Sequence, residues 1–187
     1  QHARFAFGSA RSLALAAMAA TVHAVLPFLF QTTASRTVDR LHARIHGPRG
    51  AEAAGFHGAY SIEFFNRHGY VSLGAIAQAT SRVRIGSAIA NAFTRTPLLH
   101  ASAAMDLDEL SSGRFVLGLG SATRRMNEDW YGVPFEAPAA RMRELVELLR
   151  AAFIAQKGGG FHWEGSHWKL SVPIYSRPGA PRTQIPI

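Results

Sequence analysis

The stretch from Arg82 to Gly120 constrains the fold more than any other part of the chain. Two short apolar runs, Val83 to Ala90 and Arg114 to Gly120, flank one helix-length segment, Pro97 to Leu110. Neither run alternates between apolar and polar residues, which is the pattern of strands buried on both faces. Strand, helix and strand in that order form one crossover, the unit of a parallel sheet. Each strand ends in small and polar residues: Ser87, Asn91 and Thr94 after the first, Ser121 and Thr123 after the second. Parallel α/β architectures bind ligands at that edge.

Composition narrows the function classes. A chain of 187 residues, 48% apolar and 17% charged, can bury a sizeable core. With no Cys, a disulfide framework and a thiolate metal site are both excluded. The net charge of +8 invites a nucleic-acid reading, but its distribution opposes one. Residues 1–50 hold six Arg and one Asp, whereas residues 51–187 hold fourteen basic and eleven acidic groups. The part with regular patterning is close to balanced and has no basic helix, so no nucleic-acid partner is expected.

Residues 1–50 are irregular and rich in Ala, Arg and His. The apolar run 12–30 approaches the length of a membrane span or secretory signal, but His23 and Pro27 interrupt it. A short helix followed by a strand at 24–30 is the preferred reading, with no membrane partner and a cytoplasmic location. A third reading is that part of the segment is not native coding sequence, because Gly-Pro-Arg-Gly at 47–50 interrupts what should be the first helix.

Beyond it the punctuation is regular. Ala51 to Ala54 ends a helix, with Gly55 as its stop. Ala59 to Ile62 is a strand, Glu63 to Tyr70 a loop and Val71 to Thr80 a helix. Asp106, Asp108 and Glu109 read as the solvated face of the helix that follows. Ala139 to Gln156 carries an apolar stripe of Met142, Leu145, Val146, Leu149, Ala152 and Phe153. On its outer face Arg143, Glu147 and Arg150 are spaced for ion pairs worth ~0.2–0.5 kcal/mol each. FHWEGSHWKLSVPIY predicts a hairpin turning at Glu164-Gly165, and Ile185 to Ile187 a further buried strand.

Other residues carry weaker signals. His57, His68 and His100 lack metal-ligand spacing, so no metal is expected, and His100 reads as a structural residue in a helix. Gly118 and Gly120 do not form a dinucleotide fingerprint. Ser121 lacks a nucleophile elbow. Trp130 and Tyr131 read either as a pocket wall or as a loop anchor.

Four segments in order resemble the bacterial luciferase-like flavin-dependent oxidoreductases, especially the branch that uses the deazaflavin coenzyme F420. They are AEAAGF at 51–56, ATSRVRIGSAIANAFTRTP at 79–97, DELSSGRFVLGLGSA at 108–122 and NEDWYGVPF at 127–135, the last followed by ARMRELVELL. The resemblance covers residues 51–187, about three quarters of the chain. It implies an α/β fold of the TIM-barrel class, here a partial barrel of four to five parallel strands, with FHWEGSHWKL as an insertion after the fourth strand.

The same resemblance implies the chemistry and the site. The cofactor would be coenzyme F420 or FMN, with the deazaflavin preferred from EFFNR and SATRRMNEDWYG. The reaction would be hydride transfer or monooxygenation of a small organic substrate, by an oxidoreductase that forms a homodimer. At the third strand the family reads Gly-Thr-Gly-Val-x-Asn-Pro; this chain has Gly86-Ser87-Ala88-Ile89-Ala90-Asn91-Ala92, with Ala88 in place of Gly and Ala92 in place of Pro. A cis peptide between Ala88 and Ile89 would back the cofactor ring. Asn91 would donate to the ring edge, or is a turn-forming Asn at a strand end. Glu63 would hold a ring nitrogen or relay a proton, or is an exposed loop carboxylate. Asn66 and Arg67 would meet a substrate carboxylate or a cofactor phosphate. Ser121, Thr123, Arg124 and Asn127 would face the cofactor's anionic tail or the ring carbonyls.

Length raises the competing expectation. A (β/α)8 barrel needs ~250 residues. This chain supplies four strands and the start of a fifth, leaving sheet edges and apolar surface unpaired. The alternative is a truncated, catalytically inactive half-barrel that acts only with a partner or not at all.

Overall fold

Ile85 lies at the centre of the sheet, paired on one side with Ala59 and on the other with Phe115. The computed structural model describes residues 47–156, 158–178 and 182–187, so the expectations for residues 12–30 lie outside the described residues. The chain forms two compact units, Gln1–Gly55 and Phe56–Ile187.

In the first unit the helix α1 spans Pro48–Ala53. The helix starts within Gly-Pro-Arg-Gly; the part of the expected first helix that would precede it lies outside the described residues. Gly47 is the N-cap and Pro48 follows it, where proline's fixed φ suits a helix and its missing N–H costs nothing. Gly55, at φ +87, ends the turn as expected.

In the second unit the strands are β1 (Gly58–Ser61), β2 (Arg84–Ser87), β3 (Ala90–Asn91), β4 (Phe115–Val116) and β5 (Leu119–Gly120). The helices are α2 (Gly69–Ala79), α3 (Pro97–Leu110) and α4 (Pro138–Ala155), with a π-helical turn at Met126–Trp130. A parallel ladder runs in the order β1-β2-β4, and a second parallel ladder pairs β3 with β5. The fold is α/β with parallel strands, and α3 is the expected crossover, starting at Pro97 and ending at Leu110. The hairpin is present as β6 (Phe161–Glu164) and β7 (Lys169–Val172).

Each expected strand is split in two. Val83–Ala90 divides at Ala88–Ile89, whose peptide bond is cis, and Arg114–Gly120 divides at Leu117–Gly118. The Ser87 hydroxyl bridges the gap: it donates to the Gly118 carbonyl at 2.8 Å and accepts from the Gly118 N–H at 3.0 Å. The strands are so close there that a Cβ on residue 118 would collide with the Ser87 carbonyl oxygen.

Leu73 and Ala77 of α2, Ala101, Ala104 and Met105 of α3, and Leu145, Leu149, Ala152 and Phe153 of α4 pack with Ile85, Phe115 and Leu117 into one core. On α4 the fully buried set includes Leu148, while Met142 and Val146 are only half-buried. Among the described residues no ion pair joins Arg143, Glu147 and Arg150; the side-chain polar contacts of α4 come from Arg141, which donates to the Pro134 carbonyl at 2.8 Å, and from Glu144. Its carboxylate accepts from the backbone N–H groups of His167 (2.9 Å) and Trp168 (3.0 Å) and pins the hairpin to the helix.

Two further expectations are corrected. Asp108 is not solvated: it is 2% exposed and takes a two-pronged bond from Arg182, at 3.0 and 2.5 Å. Asp106 and Glu109 both pair with Arg177. The segment after the hairpin therefore lies along the polar face of α3. Ile185 is buried beside it, but that segment reaches the sheet through one backbone bond, from the Leu117 N–H to the Pro186 carbonyl, and not through a ladder. Among the described residues β1 is an outer strand of its ladder, and Tyr60 and Ile62 are more than half exposed. No described helix is long and apolar enough to cross a membrane.

Candidate functional site

A cavity of about 440 Å³ opens at the C-terminal ends of β1 and β3. Glu63, Asn91 and Arg95 line its polar part; Phe64, Phe65 and Tyr131 supply aromatic walls. β1 and β3 lie in separate ladders, and two backbone bonds outside those ladders bring the end of β1 alongside the segment that leads into β3. The Ala88 N–H donates to the Ser61 carbonyl at 2.9 Å, and the Glu63 N–H to the Ile89 carbonyl at 3.3 Å. The residues flanking the cis peptide therefore carry Glu63 to the pocket.

Glu63 is held by three donors. The Asn91 N–H donates to Oε2 at 2.8 Å, Arg95 Nη1 to the same oxygen at 2.7 Å, and Arg95 Nη2 to Oε1. The Glu63 side chain is 6% exposed. Burial is the largest single influence on its carboxyl and opposes ionisation. The bonds from Arg95 and Asn91, with the attraction of the guanidinium charge, outweigh it and hold the carboxyl below its ordinary value. Glu63 is thus not an exposed loop carboxylate.

Arg95 is fixed in turn from below. Its guanidinium lies 5.0 Å from the centre of the Tyr70 ring and reaches His68 Nε2 at 3.1 Å. The Tyr70 hydroxyl meets His100 Nδ1 at 2.7 Å, and His100 Nε2 lies 3.2 Å from the Ala92 carbonyl. That carbonyl can only accept, so Nε2 carries the proton and Tyr70 donates to Nδ1. Burial, aided by the nearby Arg95 charge, pushes the His100 pKa down to about 4, so the ring is neutral.

Asn91 is 2% exposed, yet neither atom of its amide has a hydrogen-bond partner among the described residues. The Tyr131 hydroxyl is buried and equally unpartnered. Buried polar groups are nearly always paired, and these two orphans line the same cavity. Phe64, Phe65 and Trp130 cluster beside it with centroids 4.8–5.9 Å apart, Trp130 meeting both phenylalanines edge to face.

The residues nominated from sequence divide into two groups. Glu63, Asn66 and Asn91 line the cavity, with Arg67 beside them. Ala88 and Ile89 connect to it through the backbone bonds above. Ser121 follows Gly120, which pairs in register with Asn91. The others are spent on structure. Ser87 crosslinks the two ladders. Asn127 donates to the carbonyls of Ser121 (2.7 Å) and Thr123 (2.9 Å) and staples the loop. Thr123 Oγ1 accepts from the Met126 N–H, and Arg124 pairs at the surface with Glu128. Sequence reasoning missed Arg95. The signal was an Arg just past one strand end facing an acid just past its neighbour.

The profile of the luciferase-like monooxygenase family matches residues 10–187. A provisionally named coenzyme F420-dependent oxidoreductase of Mycobacterium tuberculosis is 34% identical over 137 residues, covering 73% of this chain and 39% of that protein. The 5,10-methylenetetrahydromethanopterin reductase of Archaeoglobus fulgidus is 30% identical over 143 residues, covering 71% and 42%. Among solved structures, the coenzyme F420-dependent tetrahydromethanopterin reductase of Methanopyrus kandleri is 31% identical with a TM-score of 0.57, covering 66% of this chain and 39% of that one. The chain thus spans about two fifths of the length of the relatives it matches.

Proposed function

This chain belongs to the luciferase-like monooxygenase family, and on that premise we propose that its cavity binds the redox ring of coenzyme F420 or FMN and acts on a small organic substrate. The observation that carries the proposal is the buried, unpartnered amide of Asn91. An amide offers one acceptor and two donor hydrogens side by side, which matches the alternating carbonyl and N–H edge of a flavin or deazaflavin pyrimidine ring. When bound, such a ring supplies two-electron hydride chemistry, or, for FMN, oxygen activation.

The chain's own residues would bind, orient and shield. Asn91 reads the ring edge, and Ala88 and Ile89 lie behind it. Glu63 accepts a hydrogen bond from a ring N–H or a substrate hydroxyl, and the Tyr131 hydroxyl is free to donate. Phe64, Phe65 and Trp130 keep water from one side. Asn66 and Arg67 stand at the rim, suited to an anionic group. Ser121, on the loop beyond β5, would face the anionic tail of the cofactor, with Asn127 fixing that loop, while the Thr123 hydroxyl and the Arg124 side chain are engaged by Met126 and Glu128.

Fluorescence titration of the full chain with coenzyme F420 and with FMN tests this reading. Saturable quenching by one of them, lost in Asn91→Ala, supports it. Tyr60 on β1, the outer strand of its ladder among the described residues, and Ile62 just beyond it are more than half exposed, which favours the second reading, a half-barrel that acts only with a partner or not at all. Absence of binding to both cofactors would favour it over the first.

A further inference from the structure

We propose that Arg95 is a positioning residue whose guanidinium fork fixes Glu63 as an aimed, charged acceptor at the pocket floor, so that Glu63 accepts hydrogen bonds and does not donate them. The inference rests on the reading of this cavity as a ligand site, but its first test does not.

The geometry is specific. Arg95 uses both Nη atoms, one on each carboxylate oxygen, which sets the plane of the carboxylate as well as its charge. The two side chains are 16% and 6% exposed, so water screens the pair weakly. The fork itself is held: the Tyr70 ring lies beneath it, His68 Nε2 beside it, and Pro97 begins α3 two residues later. A lysine could supply charge at this point but not the planar fork. A protonated Glu63 would set its O–H among donors, with Arg95 on both oxygens and the Asn91 N–H on Oε2. The depressed carboxyl value agrees with this arrangement. The charged and titratable groups around Glu63 are Arg95 before α3, Arg67 and His68 in the loop after β1, Tyr70 on α2, His100 on α3 and Tyr131 after the π-helical turn.

The first measurement uses the full chain without ligand. The Glu63 side-chain carboxyl carbon is followed by NMR across pH and assigned by its loss in Glu63→Gln. Its midpoint should lie below the ordinary carboxylate range in the wild type and rise in Arg95→Gln. An unmoved midpoint would overturn the proposal.

The second measurement titrates FMN and coenzyme F420 across pH. Affinity should fall in the wild type as pH drops through the Glu63 midpoint. It should be flat with pH in Glu63→Gln and weaker there by about tenfold or more at neutral pH. A wild-type profile as flat as that of the variant would overturn the proposal. If Arg95→Gln does not fold, Arg95→Lys decides: weaker binding with Glu63 still ionised supports a role for the fork, and unchanged affinity removes it. A moved midpoint in a chain that binds neither ligand would retain the positioning role and sink the cofactor reading instead.

Discussion

Arg114 closes the C-terminal end of α2 through Thr80. Its guanidinium donates to the Thr80 hydroxyl at 3.0 Å and to the Thr80 carbonyl at 2.9 Å. It also reaches the carbonyls of Ala77 (3.1 Å), Val83 (2.8 Å) and Ser111 (2.7 Å). The last carbonyls of a helix have no partner within it, and a cation there also meets the negative end of the helix dipole. One side chain from the start of the third strand of the ladder thus ties α2 to β2 and α3. Arg114→Ala should lower unfolding free energy by about 2–4 kcal/mol in urea denaturation, and Arg114→Lys should recover only part of that.

Gly118→Ala tests the close approach of the two ladders. The new methyl would meet the Ser87 carbonyl, a backbone atom that cannot rotate away. The strands must part, and the Ser87–Gly118 bonds stretch with them. We expect a stability loss of about 1–3 kcal/mol and weakened cofactor binding, because Ser87 immediately precedes the segment leading to Asn91. Thermal melts and the FMN titration measure the two effects separately. A melt within one degree of the wild type would contradict the packing argument.

What the sequence made legible was local. Pro97 at the start of α3 and Ser111-Ser112-Gly113 at its end bracket a helix whose span matches its expected limits. The hairpin was likewise legible, although its turn is the four-residue loop 165–168 rather than Glu164-Gly165, because Glu164 still pairs with Lys169. The splitting of each buried strand was not legible, because an apolar run carries no mark of where pairing passes from one ladder to another. Asp108 was misread for a related reason. Its burial depends on Arg182, 74 residues away, and three acids near a helix end look solvated until the partner strand of chain is in place. The same holds at the site. Glu63 and Asn91 stood out as polar residues at strand ends, but the Arg95 fork that holds Glu63 lies 32 residues away in sequence.

Glu144 should give stability an acid limb that belongs to the hairpin. Burial opposes its charge, but the N–H groups of Trp168 and His167 and the Trp163 indole N–H together hold the carboxyl below its ordinary value. A folded value below the unfolded one means that the ionised form stabilises the native state. That contribution is present above the unfolded carboxylate value and is lost as pH falls through the folded one. Glu144→Gln keeps the shape and removes the charge. Its melting temperature should be lower than wild type at neutral pH, and the difference should shrink on acidification. A constant difference across that range would show that charge is not the cause.

His100 predicts a second, separable pH dependence nearer neutrality. The ring is fully buried, accepts from Tyr70, donates to Ala92 and lies near the positive Arg95. Its folded pKa of about 4 lies below the ordinary histidine value, so the unfolded chain takes up its proton first. The stabilisation is complete above that ordinary value and declines as pH falls toward 4. By then the loss from this group alone is on the order of 3 kcal/mol. His100→Gln can retain one donor and one acceptor but cannot titrate. Its stability at neutral pH should fall, while the slope of unfolding free energy between about pH 6.5 and 4 should be shallower than in the wild type. Parallel slopes for the two proteins in urea titrations over that window would mean that the imidazole is already charged in the folded state, contrary to the hydrogen-bond pattern around it.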